Sequence, residues 1–77
     1  MHLIAEQCRA ARALLGISQE ELAELSGVSR VPLANFEAGK SKPYARTLHA
    51  IKDALESAGV HFVDPNGLGA GVRLKDT

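Results

Sequence analysis

The segment Ile17–Lys40 constrains the fold of this chain more than any other part of the sequence. It contains two short runs of apolar residues at helical spacing, separated by Gly27, a residue type that favours the left-handed backbone at a helix end. The first run follows Ser18, and Glu21 three residues later completes a capping box. The second run follows Ser29, which we also expect to cap its helix. The segment therefore predicts two short helices joined by a tight turn, at about 18–26 and 29–38.

Apolar residues at helical spacing also predict a helix before this segment and a helix after it, at about 3–15 and 45–58. The residues expected to face the core in the four helices are Ile4, Cys8, Ala11 and Leu15, then Leu22 and Leu25, then Leu33 and Phe36, and finally Leu48, Ile51, Leu55 and Ala58. Since the chain has two Phe, one Tyr and no Trp, this core must be mainly aliphatic. Pro32 falls in the first turn of the third helix, and we expect it to displace Val31 from helical geometry.

The last part of the sequence changes from helical to strand periodicity. Residues 60–63 form a short β-type run, residues 72–75 alternate apolar and polar side chains, and an Asp-Pro-Asn-Gly turn signal lies at 64–67. These features predict a β-hairpin, which should pack on the helices or pair with another chain because a lone hairpin is marginally stable. The predicted fold class is mainly α: a compact domain of four to five helices at residues 1–59, followed by a C-terminal β-hairpin at residues 60–77.

The composition argues against several classes of protein. Cys8 is the single cysteine, so no internal disulfide can form, and the scattered histidines lack metal-binding spacing. No apolar stretch approaches the ~18 residues of a membrane span, and the N-terminus lacks the pattern of a signal peptide. No arrangement of nucleophile, histidine and carboxylate suggests catalysis. We therefore expect a cytoplasmic protein without a membrane partner, enzymatic activity, metal or cofactor.

The charged residues are unevenly distributed along the sequence, although the formal net charge is zero. Between Ile17 and Gly27 there are three anions and no cation, whereas between Val28 and Arg46 there are four cations and one anion. This separation predicts that the folded protein has a positively charged face. Such a face suits a polyanionic partner such as nucleic acid.

Several spaced elements of the sequence together match one known pattern. They are Arg12, Gly16–Ala23, Gly27–Ser29, Phe36–Lys40, Pro43 and Thr47-Leu48. These elements resemble the Cro/phage-repressor (XRE-like) family of helix-turn-helix DNA-binding domains over about residues 4–59. The residues from Ala58 onward look like the C-terminal part of a group of small bacterial regulators in this family. The resemblance implies that the third helix lies in the major groove of DNA while the second crosses the phosphate backbone. It also implies double-stranded DNA as the partner and a nucleoid-associated location.

The resemblance and the side-chain chemistry together assign candidate roles in DNA binding. Arg30 is expected to bind either a guanine edge or a phosphate, and Asn35 is expected to pair with adenine. Val31 and Ala34 either contact thymine methyl groups or only fill an exposed face. The residues expected to bind phosphates are Gln19, Ser29, Lys40 and Lys42. For Gln19 the alternative is an ordinary exposed residue at the start of a helix.

The resemblance also places Arg12 of the first helix beside Glu37 of the third helix. Both residues lie among apolar neighbours in the sequence pattern, so a largely buried ion pair is expected. Its first role would be to fix the position of the third helix, and its second role would be a phosphate contact from Arg12.

Three functions remain open at the level of the sequence. The first is a sequence-specific DNA-binding transcriptional regulator, expected to be a repressor, that acts as a homodimer with the edge of the hairpin as the dimer surface. The second is an antitoxin that represses its own operon and binds a toxin through residues 60–77. The third is a protein-interaction module that keeps the fold without binding DNA, an alternative that the zero net charge and Pro32 favour.

Overall fold

Four helices and a two-stranded antiparallel sheet make up the fold in our computed structural model, which describes residues 2–65 and 67–75. Their bounds are α1 Ala5–Leu15, α2 Gln19–Ser26, α3 Arg30–Glu37, α4 Ala45–Ala58, β1 Val60–Val63 and β2 Gly71–Leu74. The predicted fold class, mainly α with a C-terminal β-hairpin, is confirmed. Asn66 of the predicted turn lies outside the described residues. Within those residues, no helix has both the length and the apolar character that a membrane span requires.

Local sequence signals set the ends of α1 and α2. Gly16 and Gly27 end these helices with left-handed φ angles of 69° and 72°, which glycine adopts without steric strain. At the start of α2 the Ser18 hydroxyl accepts a hydrogen bond from the Glu21 N–H at 3.0 Å, and the Glu21 carboxylate accepts one from the Ser18 N–H at 3.0 Å. The predicted capping box is therefore confirmed.

The start of α3 differs from its predicted structure. Ser29 occupies the N-cap position, but its side chain makes no capping hydrogen bond, so the expected cap is wrong. The physical reason is Pro32, which occupies the position whose N–H is donated to the cap in α2, and proline has no N–H. The expected displacement of Val31 is also wrong. Val31 lies inside α3, so the steric restriction that Pro32 imposes on the residue before it is outweighed by the helix, from which a proline in the first turn removes no hydrogen bond.

The core lies between the four helices and the hairpin. Its buried apolar residues are Leu3, Cys8, Ala11, Leu22, Leu33, Phe36, Ile51, Leu55, Val60 and Phe62. Three positions expected in the core, Ile4, Leu25 and Ala58, are exposed instead. Ile4 is the N-cap of α1 and has an extended backbone, so it lies outside the helical stripe, and Leu3 is buried in its place. Leu25 and Ala58 lie in the last turns of α2 and α4, beyond the last fully buried residue of each helix.

The hairpin packs on the helices, which is one of the two arrangements expected for it. β1 pairs with β2 along the full length of both strands, and the hairpin contacts α1 and α4. Val60 and Phe62 of β1 belong to the same buried core as the helices. Gln7 of α1 is also buried, and its Nε2 donates a hydrogen bond to the Gly71 carbonyl at 3.0 Å. The hairpin therefore supports the helical part of the fold.

Candidate nucleic-acid interface

Arg12 of α1 and Glu37 of α3 form an ion pair between the two helices. Arg12 Nη2 lies 2.7 Å from Glu37 Oε1 and Arg12 Nε lies 2.8 Å from Glu37 Oε2, so the guanidinium binds both carboxylate oxygens. The Glu37 side chain is 2% exposed and the Arg12 side chain is 20% exposed. Arg12 Nη1 also donates to the Ile17 carbonyl at 3.2 Å. The pair therefore ties the end of α3 to α1 and to the turn between α1 and α2.

Two further side chains donate to the Glu37 carboxylate, and sequence reasoning missed both contacts. Cys8 Sγ lies 3.0 Å from Oε2, and Gln19 Nε2 lies 2.9 Å from Oε1. Arg9 donates to the backbone carbonyl of Glu37. We name the four side chains Cys8, Arg12, Gln19 and Glu37 the Glu37 cluster. For Cys8 the sequence does contain an indication of this contact. Arg12 is four residues later, and residues four apart lie on the same side of a helix, so a carboxylate that binds Arg12 also lies near Cys8.

The Glu37 cluster fixes the protonation states of its members. Burial raises the pKa of Glu37, but the hydrogen bonds that its carboxylate accepts, first of all from Arg12, outweigh burial and hold that pKa below its ordinary value. The hydrogen bond to Glu37 raises the pKa of Arg12. Burial, reinforced by the hydrogen bond to Glu37, raises the pKa of the Cys8 thiol. At neutral pH the cluster therefore holds a carboxylate, a guanidinium and a protonated thiol.

The exposed side of α3 carries the residues predicted to read DNA bases. Arg30 and Val31 are exposed in the first turn, and the exposed fraction of Val31 is 70%. Ala34 and Asn35, one turn later, are half-buried. The buried residues of the same helix are Leu33, Phe36 and Glu37. Thus α3 has one side anchored in the core and one side open to a ligand.

The residues predicted to bind phosphates fall into two groups. Ser29 and Lys42 line the same open cleft between the start of α3 and the start of α4. Lys42 also lines a groove that contains Lys40. Gln19 lies apart from them at the start of α2, where its amide nitrogen is bound to Glu37. The structure therefore brings Ser29, Lys40 and Lys42 beside the ends of α3 and links Gln19 to α3 through the Glu37 cluster.

A family model described as helix-turn-helix matches residues 9–58, which is more than half of the chain. The chain belongs to the helix-turn-helix family of the Cro/C1 type. The match begins within α1 and ends at the last residue of α4, so it includes both helices of the motif, α2 and α3, and leaves out the hairpin. No curated protein matches the chain closely enough to count as a relative.

Membership of the helix-turn-helix family supports a role as a DNA-binding regulator. In this helix-turn-helix domain the Glu37 cluster joins both motif helices to α1, because Gln19 begins α2 and Glu37 ends α3. A single carboxylate thereby links three helices. Across the part of the chain that the structure describes, no group of side chains has the make-up of a metal site.

The lowered pKa of Glu37 makes the stability of this helix-turn-helix domain sensitive to acid. Above the ordinary glutamate pKa of about 4.3, Glu37 is ionised in the folded and the unfolded chain, and its full contribution to stability is present. Below that pH the unfolded chain takes up a proton before the folded protein does. The free energy of unfolding is therefore expected to fall by up to about 1.4 kcal/mol per pH unit from this carboxyl alone, until the folded pKa is passed.

Urea unfolding of the parent protein and of Glu37→Gln at a series of acidic pH values measures this dependence. The variant lacks the titrating group at this position, so its stability should change less steeply with pH in the acid range. Equal slopes in the two proteins would show that Glu37 is not responsible.

Proposed function

We propose that the protein is a sequence-specific DNA-binding transcriptional regulator that acts as a repressor and binds DNA as a homodimer, with α3 in the major groove. The observation that carries this proposal is the division of α3 into two sides. Glu37 anchors one side in the core, while Arg30 and Val31 are exposed on the other. A helix held in this way presents its first turn rigidly to a ligand. Repression is the simplest consequence, because a protein that occupies a DNA site excludes other proteins from it.

The open side of α3 offers the side-chain chemistry that reads base edges. The Arg30 guanidinium can donate two hydrogen bonds to the edge of guanine. The Asn35 amide can both donate to and accept from adenine. The methyl groups of Val31 and Ala34 suit contact with the methyl group of thymine. We therefore assign Arg30 and Asn35 as the principal readers and the two apolar residues as supporting contacts.

The start of α3 offers a phosphate site that depends on Pro32. Because Pro32 leaves the Ser29 hydroxyl without a capping bond, this hydroxyl and the N–H groups of the first turn remain available to an anion. Lys42 lines the same cleft and adds positive charge. We expect Ser29 and Lys42 to hold one phosphate and Lys40 to add a second contact to the DNA backbone. On this account Pro32 supports DNA binding, although in the sequence it favoured the interaction-module alternative.

Gln19 is the phosphate candidate on the supporting helix. Its amide donates one hydrogen to Glu37, and the second hydrogen of the same nitrogen is available for a phosphate at the start of α2. Since Glu37 lies at the end of α3, a phosphate bound by Gln19 would be positioned relative to the recognition helix through one carboxylate. This arrangement would set the register of α3 on the DNA.

The size of the contact surface favours a homodimer. A recognition helix of eight residues reaches few base pairs, and a two-fold pair of such helices reads two half-sites about one helical turn apart. The antitoxin alternative needs a segment that is free to bind a toxin, whereas Val60 and Phe62 in the C-terminal part of the chain are buried in the core. The zero net charge is the remaining support for the interaction module, which is an outcome of the experiment below.

Substitutions on α3 of the protein, titrated against its own preferred DNA site, test the proposal. That site is obtained by selecting bound sequences from a random pool of double-stranded DNA. Arg30→Ala and Asn35→Ala are each expected to weaken binding to it by about 1–3 kcal/mol and to relax the preference at one base position. Ser29→Ala should weaken binding to all sequences alike without loss of stability, since Ser29 makes no capping bond. Fluorescence anisotropy at several salt concentrations measures the affinities.

Lys52→Ala is the matched control for Arg30→Ala, because it also removes one positive charge. Lys52 of α4 forms an ion pair with Glu56 of the same helix. The Glu56 carbonyl accepts a hydrogen bond from Lys75, which follows β2, so Lys52 lies on the hairpin side of the fold and away from α3. This control should bind DNA like the parent protein. If Arg30→Ala and Asn35→Ala also do so, α3 is not the reading helix. Absence of binding to any DNA at low salt would favour the protein-interaction module.

A further inference from the structure

A groove of about 610 Å³ lies between the start of α1 and the loop that joins α3 to α4. We name it the α1–α3 groove, and its larger apolar lining residues are Leu3, Ile4, Phe36 and Leu48. Leu3 and Phe36 belong to the core, so the fold fixes this part of the lining, whereas Ile4 is 41% exposed. A groove of this volume with an apolar lining is typical of a site for a small organic molecule.

Positive charge lies along the same groove. Lys40 and Lys42 both line it and are exposed, and within the described residues neither lysine forms an ion pair. No aspartate or glutamate is among the described residues that line the groove. Glu6, the carboxylate nearest to Ile4 in the sequence, is exposed and does not line it. The α1–α3 groove therefore combines an apolar lining with two cations that no neighbouring carboxylate compensates.

These two properties define the chemistry of a matching occupant. The apolar lining favours an apolar body, because contact with it removes apolar surface from water. The lysine ammonium groups stay in water while their stems lie along apolar surface, so they suit a negatively charged group at the rim. A singly charged carboxylate fits beside an apolar wall better than a doubly charged phosphate, since removing charge from water is costly. The matching ligand is therefore a small organic carboxylate with an apolar body.

We propose that the α1–α3 groove binds a small carboxylic acid with an apolar body, in competition with DNA for Lys40 and Lys42. Lys42 also lines the cleft that contains Ser29, where we expect a DNA phosphate. A carboxylate held by these lysines neutralises charge that contributes to binding the DNA backbone. Ligand and DNA therefore weaken each other's binding by the same factor. Such a ligand acts as an effector that releases the protein from its DNA site.

The ligand site itself needs no DNA, whereas the competition rests on the proposed function. Ligand binding is therefore measured without DNA, and its effect on DNA affinity is measured separately. A protein that binds ligand in the groove but binds no DNA would remove the proposed function, together with the competition, and retain the site. A protein that binds its selected DNA site but no ligand would remove the site and retain the proposed function.

Titration of the full chain with naphthoate, followed by two-dimensional NMR, tests the site. This probe carries one carboxylate on an aromatic apolar body, and naphthylmethanol is its neutral counterpart. Amide signals of the residues that line the groove should shift and saturate, with a dissociation constant on the order of 1 mM or below. The neutral alcohol should bind about fivefold more weakly. Changes only elsewhere on the protein, or equal affinity for both probes, as expected of a surface that another protein covers, overturn the inference.

Ile4→Ser removes apolar lining and leaves both lysines in place. Ile4 is the N-cap of α1, where serine is a favourable residue, so we expect the variant to fold. Loss of the apolar side chain should weaken the binding of naphthoate about tenfold. Leu25→Ser is the matched control, since Leu25 is 59% exposed and lines a different groove, between α2 and α4. Equal losses in the two variants, or no loss in Ile4→Ser, contradict the site.

Fluorescence anisotropy with the selected DNA site measures the competition. At a naphthoate concentration about tenfold above its dissociation constant, the DNA affinity of the parent protein should fall about tenfold. Acetate at the same concentration is the control, because it adds equal ionic strength without an apolar body. Ile4→Ser should bind DNA like the parent protein in acetate and lose only about twofold in naphthoate. Equal effects of the two salts on the parent protein overturn the competition.

Discussion

Glu37→Ala is expected to lower the free energy of unfolding by about 3–5 kcal/mol. The substitution removes the one carboxylate that accepts hydrogen bonds from Arg12, Cys8 and Gln19, and it leaves a largely buried guanidinium without its partner. Small domains have a total stability of about 5–15 kcal/mol, so this loss is a large share of it. Urea unfolding at neutral pH, followed by far-ultraviolet circular dichroism, measures the effect.

Glu56→Ala is the matched control for this substitution, because Glu56 also forms an ion pair. Its Oε1 lies 3.5 Å from Lys52 Nζ, and the two side chains are 31% and 25% exposed. A partly exposed pair at a spacing of four residues on a helix contributes about 0.3–0.5 kcal/mol. Equal losses from Glu37→Ala and Glu56→Ala would contradict the structural role assigned to the Glu37 cluster.

A double substitution separates two contributions to the loss of stability in Glu37→Ala: the unpaired charge of Arg12, and the loss of the ion pair that holds α3 against α1. Arg12→Met combined with Glu37→Met removes both charges and keeps apolar volume at both positions. It should be less destabilising than Glu37→Ala, because replacing a buried ion pair by apolar side chains is often close to neutral. The remaining loss then combines the effect on Cys8 and Gln19, whose acceptor is removed, with the loss of the hydrogen bond from Arg12 to the Ile17 carbonyl.

The helix boundaries could be predicted because their signals act within one helical turn. Ser18 with Glu21, and the left-handed glycines that follow α1 and α2, depend only on near neighbours in the sequence. Ser29 shows why one such rule is not enough. The preference for serine at an N-cap depends on a backbone N–H three residues later, and Pro32 at that position has no N–H to donate to the cap. Both rules were readable from the sequence, and together they predict the free hydroxyl that the structure has.

Contacts between helices could not be predicted from the residues in the same way. The pairing of Arg12 with Glu37 came from the family resemblance, whereas the bonds from Cys8 and Gln19 depend on how closely α1 and α2 approach the end of α3. Leu25 illustrates the same limit for the core. It lies on the apolar stripe of α2, yet it is exposed, because periodicity gives the direction of a side chain and not how far along the helix the core extends.

Phe62→Ala is expected to lower the free energy of unfolding by about 3–5 kcal/mol, although Phe62 lies outside the helix-turn-helix match at residues 9–58. Its side chain belongs to the same buried cluster as the core residues of all four helices, so its removal leaves a cavity in that core. A chain of 77 residues has a core near the lower limit for independent folding. By the same argument, a chain that ends at Gly59 and lacks both Val60 and Phe62 is expected not to fold. Thermal unfolding followed by circular dichroism measures both effects.

His61→Ala is the matched control, because His61 is the neighbour of Phe62 in β1 and its side chain is exposed. Its effect should stay within about 0.5 kcal/mol. Cooperative unfolding of the chain that ends at Gly59, or equal stability of Phe62→Ala and His61→Ala, would mean that the hairpin is an attachment to a self-sufficient helical domain. The expected result instead makes the folding unit larger than the helix-turn-helix region.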